Sequence, residues 1–265
     1  MCNRRLQLLT AKKQSPRATA LSHLGQIFYF WVIVPEIFTQ KSTSLTSKPA
    51  KVTTPKTIIL DFDGVVVESN ELKTRSFTQV FARFPEYAKE MLHFHTDNIS
   101  LSRYAKFDYL LNLLGRKNDH TLRKNLASDF SEKMTHGMVN VPLVDGALNF
   151  LETMAVRVPI YLASITPETE LNLILAQQQL AQWFRAVYGY PPWTKPDAIR
   201  DVLRREKITA ADAILIGDSA GDQAAARITG VTFLARNSGL SFEEPTPKCF
   251  FNMFEVSQYV KQMFL

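Results

Sequence analysis

"KTIILDFDGVVVES", residues 56–69, decides the fold. The run Thr57-Ile58-Ile59-Leu60 is short, continuous and mostly apolar, which reads as a strand buried on both faces. It ends in two carboxylates, Asp61 and Asp63, spaced so that both point the same way. Gly64 behind them lets the backbone turn sharply. Burying one unpaired carboxylate beside such a strand is costly, so two there call for a chemical reason.

Working outward, the pattern alternates. Apolar strands are expected at "TIILD" (57–61), "PIYLAS" (159–164), "RAVYG" (185–189), "AILIG" (213–217) and "VTFLA" (231–235). Helical periods lie between and after them, near 144–154, 167–178, 196–206, 220–229 and 254–263. Continuous apolar strands separated by helices predict an α/β fold, a Rossmann-like parallel sheet covered on both faces. In "ITPETEL", Thr166 is the expected N-cap and Pro167 the first helical residue, and Pro196 repeats the device in "KPDAIRDVL".

Between the first strand and the helix at 144 the sequence reads as helix only: "NELKTRSFTQVFARF", "PEYAKEMLHFH", "LSRYAKFDYLLNLLG" and "DHTLRKNLASDFSEKMTHG". Phe107, Leu110, Leu111 and Leu114 recur at three and four. The expected organisation is an α/β core over 57–69 and 142–265 with an inserted α-helical cap at 70–141. Such an insert hangs over the carboxyl ends of the strands, where open α/β sheets place their ligands.

Residues 1–56 hold nine Lys/Arg against one acid, Glu36, while 57–265 hold 22 basic and 24 acidic residues. The net charge of +6 therefore belongs to the first segment, and the rest shows no basic stripe for nucleic acid. The run "IFYFWVIV" (27–34) is too short for a bilayer, which needs about 20 residues, so no stable membrane insertion is expected. Ser/Thr/Lys-rich flanks predict a poorly ordered basic extension over 1–56; a transit peptide or an interfacial anchor are the alternatives. Cys2 and Cys249 form neither metal spacing nor a disulfide framework, which favours a cytoplasmic setting, or an organelle if the first segment is a transit peptide.

The strand ends collect Asp61, Asp63, Ser164, Asp218 and Asp222, with Lys195 before the helix that follows the third strand. Four converging carboxylates repel one another unless a cation sits among them, and oxygen-only donors favour Mg²⁺. Asp61 can then serve as a nucleophile toward phosphorus, and Asp63 can protonate a leaving oxygen and later deprotonate water. Ser164 suits a phosphoryl oxygen, Lys195 supplies positive charge, Asp218 would bind metal, and Asp222 would hold metal-bound water or Lys195.

"DFDGV", "YLAS", "TKP" and "GDSAGDQAAA" resemble, in order, the four motifs of the haloacid dehalogenase superfamily. The resemblance spans 57–240 and not 1–56. It implies that Asp61 is nucleophile and metal ligand, that Asp63 is general acid/base with its backbone carbonyl on Mg²⁺, and that Ser164 and Lys195 bind phosphate. Asp218 matches the metal-binding Asp. The insert between the first two motifs is similar to the helical-cap branch, that of phosphoglycolate phosphatase and β-phosphoglucomutase. Ile165 departs from the polar residue of many relatives, a position where the backbone N–H is the usual phosphate donor.

The resemblance implies a Mg²⁺-dependent phosphatase acting on a small phosphorylated metabolite (phosphosugar, phosphopolyol or phosphoglycolate-like) through an aspartyl-phosphate, as a monomer or homodimer. A phosphosugar mutase keeps the chemistry and changes the acceptor. A non-catalytic regulator of the same fold is disfavoured by intact Asp61, Asp63, Lys195 and Asp218, and no G-x-G-x-x-G follows the first strand to hold a dinucleotide. In "SRYAKF", Arg103 and Lys106 share a helix face. That face either looks down on an anionic substrate or is simply solvated.

Overall fold

The computed structural model describes residues 54–265. The expectations for the basic extension fall mostly on residues 1–53 and lie outside the described residues. Lys56, at the edge of the first strand, donates its backbone N–H to Asp212 O at 2.7 Å and pairs with the Asp212 carboxylate at 3.1 Å.

Among the described residues one six-stranded sheet forms, all parallel, in the order β3-β2-β1-β4-β5-β6. Its strands are β1 (Thr57–Leu60), β2 (Ile160–Ser164), β3 (Ala186–Gly189), β4 (Ala213–Gly217), β5 (Thr232–Arg236) and β6 (Cys249–Phe250). The five expected strands are present. β6 is an addition, two residues held by Ala235 opposite Cys249 and Arg236 opposite Phe250. β1 lies inside the sheet, where Leu60 faces Leu162 on one side and Ile216 on the other. Its alternate side chains serve two cores. Ile58 and Leu60 join Phe150, Leu151 and Met253, while Ile59 joins Tyr161, Leu215 and Ile199.

Four helices follow β1 directly, ahead of a fifth helix and the next strand: α1 (Asn70–Phe81), α2 (Ala88–Asp97), α3 (Arg103–Leu113) and α4 (His120–Met138). They pack on aromatic residues. Phe77 packs tilted against Phe130 with centroids 4.1 Å apart and meets Phe107 at 6.0 Å, all three buried. Truncating one such ring typically costs about 3–5 kcal/mol. No helix among the described residues is long and apolar enough to cross a membrane.

The remaining helices alternate with strands: α5 (Ala147–Ala155), α6 (Glu168–Gln177), α7 (Lys195–Glu206), α8 (Ala220–Thr229) and α9 (Met253–Gln262). Their starts explain the site. Thr194 caps α7 by accepting from Asp197 N, which fixes Lys195 and Pro196 in the first turn. Ser219 and Asp222 form a reciprocal capping box on α8. The cap of α6 differs from the sequence expectation by one residue. Pro167 is the N-cap, and Thr166 is left with its hydroxyl free for another partner.

Candidate active site

Because all strands run parallel, Asp61, Ser164 and Asp218 emerge at one end of the sheet. Gly64 makes the approach of the β1 loop to Asp218 feasible. Its φ is +73°, and a Cβ there would lie 1.9 Å from Asp218 Oδ2. A cleft of about 180 Å³ opens at this end, its floor formed by Asp61, Asp63, Asp218, Lys195 and Lys73. The α2–α3 loop forms its roof through Ile99 and Ser100. That loop is seated on the start of α8, where Gly221 N donates to Ser100 Oγ at 3.1 Å.

One half of the floor is a carboxylate cluster. Asp61, Asp218 and Asp222 are all buried, with donor oxygens within 4.8 Å of one another. Lys195 pairs with Asp61 at 3.0 Å and, more tightly, with Asp222. Burial works against the Lys195 charge, but Asp222 and Asp61 outweigh it and raise its pKa. Burial, then the charge of Asp222, pushes Asp61 up to about 8 in spite of Lys195, with Asp218 and Asp63 adding to the shift. Asp218, also buried and facing Asp222, is pushed up to about 6; its Oδ2 accepts from Asn70 Nδ2 at 2.7 Å. These residues hold more negative charge than one ammonium offsets, and every donor is a hard oxygen. The set fits a divalent cation of the Mg²⁺ type.

The other half surrounds Asp63. Its Oδ2 accepts from Lys73 Nζ at 2.7 Å and from Thr166 Oγ1 at 3.3 Å, and its Oδ1 from Ser69 Oγ. Burial alone would raise its pKa, but the Lys73 charge and these three hydrogen bonds hold the carboxyl below the usual range. Two acids two residues apart thus sit in opposite environments.

Asp61, Asp63, Lys195 and Asp218 line the cleft. Ser164 and Asp222 lie directly behind it. Ser164 Oγ accepts from Thr166 N at 3.1 Å, and Asp222 Oδ2 accepts from the Ser219 hydroxyl at 2.6 Å and from Ser219 N at 3.1 Å. Lys73, Asn70, Ser69 and Thr166 escaped the sequence reading. The signal was present for two of them, since Asn70 and Lys73 fall three apart in the first turn of α1, on the face that also carries Phe77.

Arg103 and Lys106 do not form a solvated face, because both are buried. Nor do they line the main cleft. Arg103 Nη1 bonds Glu170 Oε1 and Ser131 Oγ, both at 2.8 Å, and its guanidinium lies 4.6 Å from the Phe130 centroid. Lys106 Nζ meets His95 Nδ1 at 2.9 Å and donates to Ile99 O at 3.3 Å. Burial, then Lys106 and Lys73, lowers His95 to about 3, so its imidazole is neutral and Nδ1 accepts.

A family model described as haloacid dehalogenase-like hydrolase matches residues 58–236. No curated protein matches the sequence. Among solved structures, the chain is similar to a predicted phosphatase from Clostridium acetobutylicum (20% identity, TM-score 0.65), covering 79% of this chain and 100% of that one. It is also similar to a predicted phosphoglycolate phosphatase from Haemophilus somnus 129pt (15%, 0.63; 79% and 99% covered). A third likeness is to β-phosphoglucomutase from Clostridium difficile (12%, 0.62; 79% and 97% covered). At these identities the likenesses speak for the fold.

Proposed function

The chain belongs to the haloacid dehalogenase-like hydrolases, and from that membership we propose that it is a Mg²⁺-dependent phosphatase of a small phosphomonoester, working through an aspartyl-phosphate. The observation that carries this reading is the split floor of the cleft: Asp61 in a carboxylate cluster short of positive charge, Asp63 beside it with its own cation and hydroxyls.

Asp61 and Asp218, with the backbone carbonyl of Asp63, would hold the metal, and Asp222 would brace Lys195 from behind. Bound there, Mg²⁺ supplies charge that masks the phosphoryl oxygens and returns Asp61 to its ionised form. An Asp61 carboxylate oxygen then attacks phosphorus, forming the O–P bond as the ester oxygen departs. Lys195 neutralises the equatorial oxygens. Asp63 gives its proton to the departing oxygen, and in the second half it takes a proton from the water that cleaves the aspartyl-phosphate and frees inorganic phosphate. The contacts from Lys73, Ser69 and Thr166 favour the ionised, basic form of Asp63. Protonating a poor leaving group therefore requires the Lys73 contact to loosen.

Purified protein, offered phosphosugars, phosphopolyols, phosphoglycolate and nucleotides with Mg²⁺, should release phosphate from at least one class. EDTA should stop it and Mg²⁺ restore it. Transfer of the phosphoryl group to a second sugar hydroxyl without phosphate release would replace the phosphatase with a mutase. Turnover undisturbed by thorough chelation would remove the metal from the reading.

A further inference from the structure

The three acids that line the main cleft do not share one kind of partner. Asp61 meets the Lys195 ammonium at 3.0 Å, and Asp63 meets that of Lys73 at 2.7 Å. Asp218 is met by an amide instead: Asn70 Nδ2 donates to its Oδ2 at 2.7 Å, across 148 residues of chain. Among the described residues no lysine or arginine forms an ion pair with Asp218. An ionised carboxylate only accepts, so the amide has to turn its Nδ2 toward it. Shape enforces the contact. A Cβ on Gly64 would lie 1.9 Å from Asp218 Oδ2 and 2.6 Å from Asn70 Nδ2, so only bare glycine backbone can close over the pair. A neutral donor fixes the direction of a carboxylate without cancelling its charge, whereas an ammonium does both.

We infer that Asn70 is a positioning residue for the divalent cation: it holds one oxygen of Asp218 so that the other, with the charge intact, is left for the ion. This rests on the Mg²⁺ reading above, in which Asp218 is a ligand. Groups that hold a ligand in this way govern metal affinity by about 10–100-fold. The place of Asn70 in the chain adds a consequence. It is the first residue of α1, the helix that opens the insert, and one turn on Lys73 of the same helix holds Asp63. Phe77, a turn further, anchors α1 among the aromatic rings of α3 and α4. One amide therefore joins the inserted helices to the metal ligand. By reciprocity, the bound ion should steady α1 as α1 steadies the ligand.

The test is metal binding, read without substrate or turnover. Calorimetry with Mg²⁺ alone should show the dissociation constant raised about tenfold or more in Asn70→Ala. Asn70→Leu, near the native volume but without a donor, should match it, and either variant decides if the other does not fold. Val80→Ala supplies the control, since it thins the buried side of α1 far from Asp218. It should lower the thermal midpoint yet keep the Mg²⁺ constant within about twofold of wild type. Mg²⁺ should also slow amide exchange along α1 in wild type and leave it unchanged in Asn70→Ala. Equal Mg²⁺ constants in wild type and the Asn70 variants overturn the inference, as does an equal loss in Val80→Ala. Exchange along α1 that ignores Mg²⁺ in wild type overturns the link to the inserted helices. No Mg²⁺ binding by wild type would remove the metal from the proposed function and the role of Asn70 with it. A weakened constant in Asn70→Ala, with no ester hydrolysed by wild type, would sink the phosphatase reading and leave Asn70 in place.

Discussion

Asp61 shows how one residue trades stability against chemistry. Buried beside Asp222 and Asp218, it is pushed up to about 8, so its charged form is costly in the protein without metal. Asp61→Asn should lower turnover at least about a thousandfold, since in the proposed mechanism no other group accepts the phosphoryl unit. The same substitution should raise the metal-free thermal midpoint by relieving repulsion. A variant that keeps near-wild-type rates would end the covalent mechanism. Asp61, Asp63 and Asp218 were legible because each is an acid set directly after an apolar strand, a purely local signal. Lys73 and Thr166 were not, because what makes them part of the site is a contact with Asp63 across 10 and 103 residues of chain.

Helix α3 carries the largest revision. Its Arg103 joins α4 through Ser131 and α6 through Glu170, tying the inserted helices to the sheet domain. Both partners of the ion pair are largely buried, so Arg103→Ala leaves a carboxylate uncompensated and should cost about 3–5 kcal/mol in chemical denaturation. A loss below about 1 kcal/mol would reduce the tie to an ordinary surface pair. One turn on, Lys106 gives a pH signature. Its folded pKa of about 7 lies below the ordinary 10.5, so between these values the unfolded chain binds more protons and stability rises with pH. Lys106→Met should lack that rise. Its advantage over wild type should be greatest below pH 7 and shrink toward pH 10, and parallel curves for the two proteins would refute the assigned environment. The sequence showed that Arg103 and Lys106 share a face. Only the packing of α1, α2 and α4 around that face shows it to be buried.

At the scale of the whole molecule, every residue of the proposed site lies between Asp61 and Asp222, and the described residues bury their own cores. Removing residues 1–53 should leave phosphate release within about twofold of the full chain while the protein loses its basic character; a tenfold loss would give that segment a part in the site. The sequence by itself determined the order of strands and helices, the parallel sheet and the identity of the strand-end acids. Apolar runs and their punctuation are local, and parallel pairing brings the strand ends together. β6 was hidden because two residues, Cys249 and Phe250, have no period, and only the β5 edge makes them a strand. The tertiary structure alone decided which cation meets which acid: Lys195 with Asp61 and Asp222, Lys73 with Asp63, Arg103 with Glu170, and, among the described residues, none with Lys106. Charge pairing acts over a few ångströms in space, and residues far apart along the chain reach that distance only when the helices have packed.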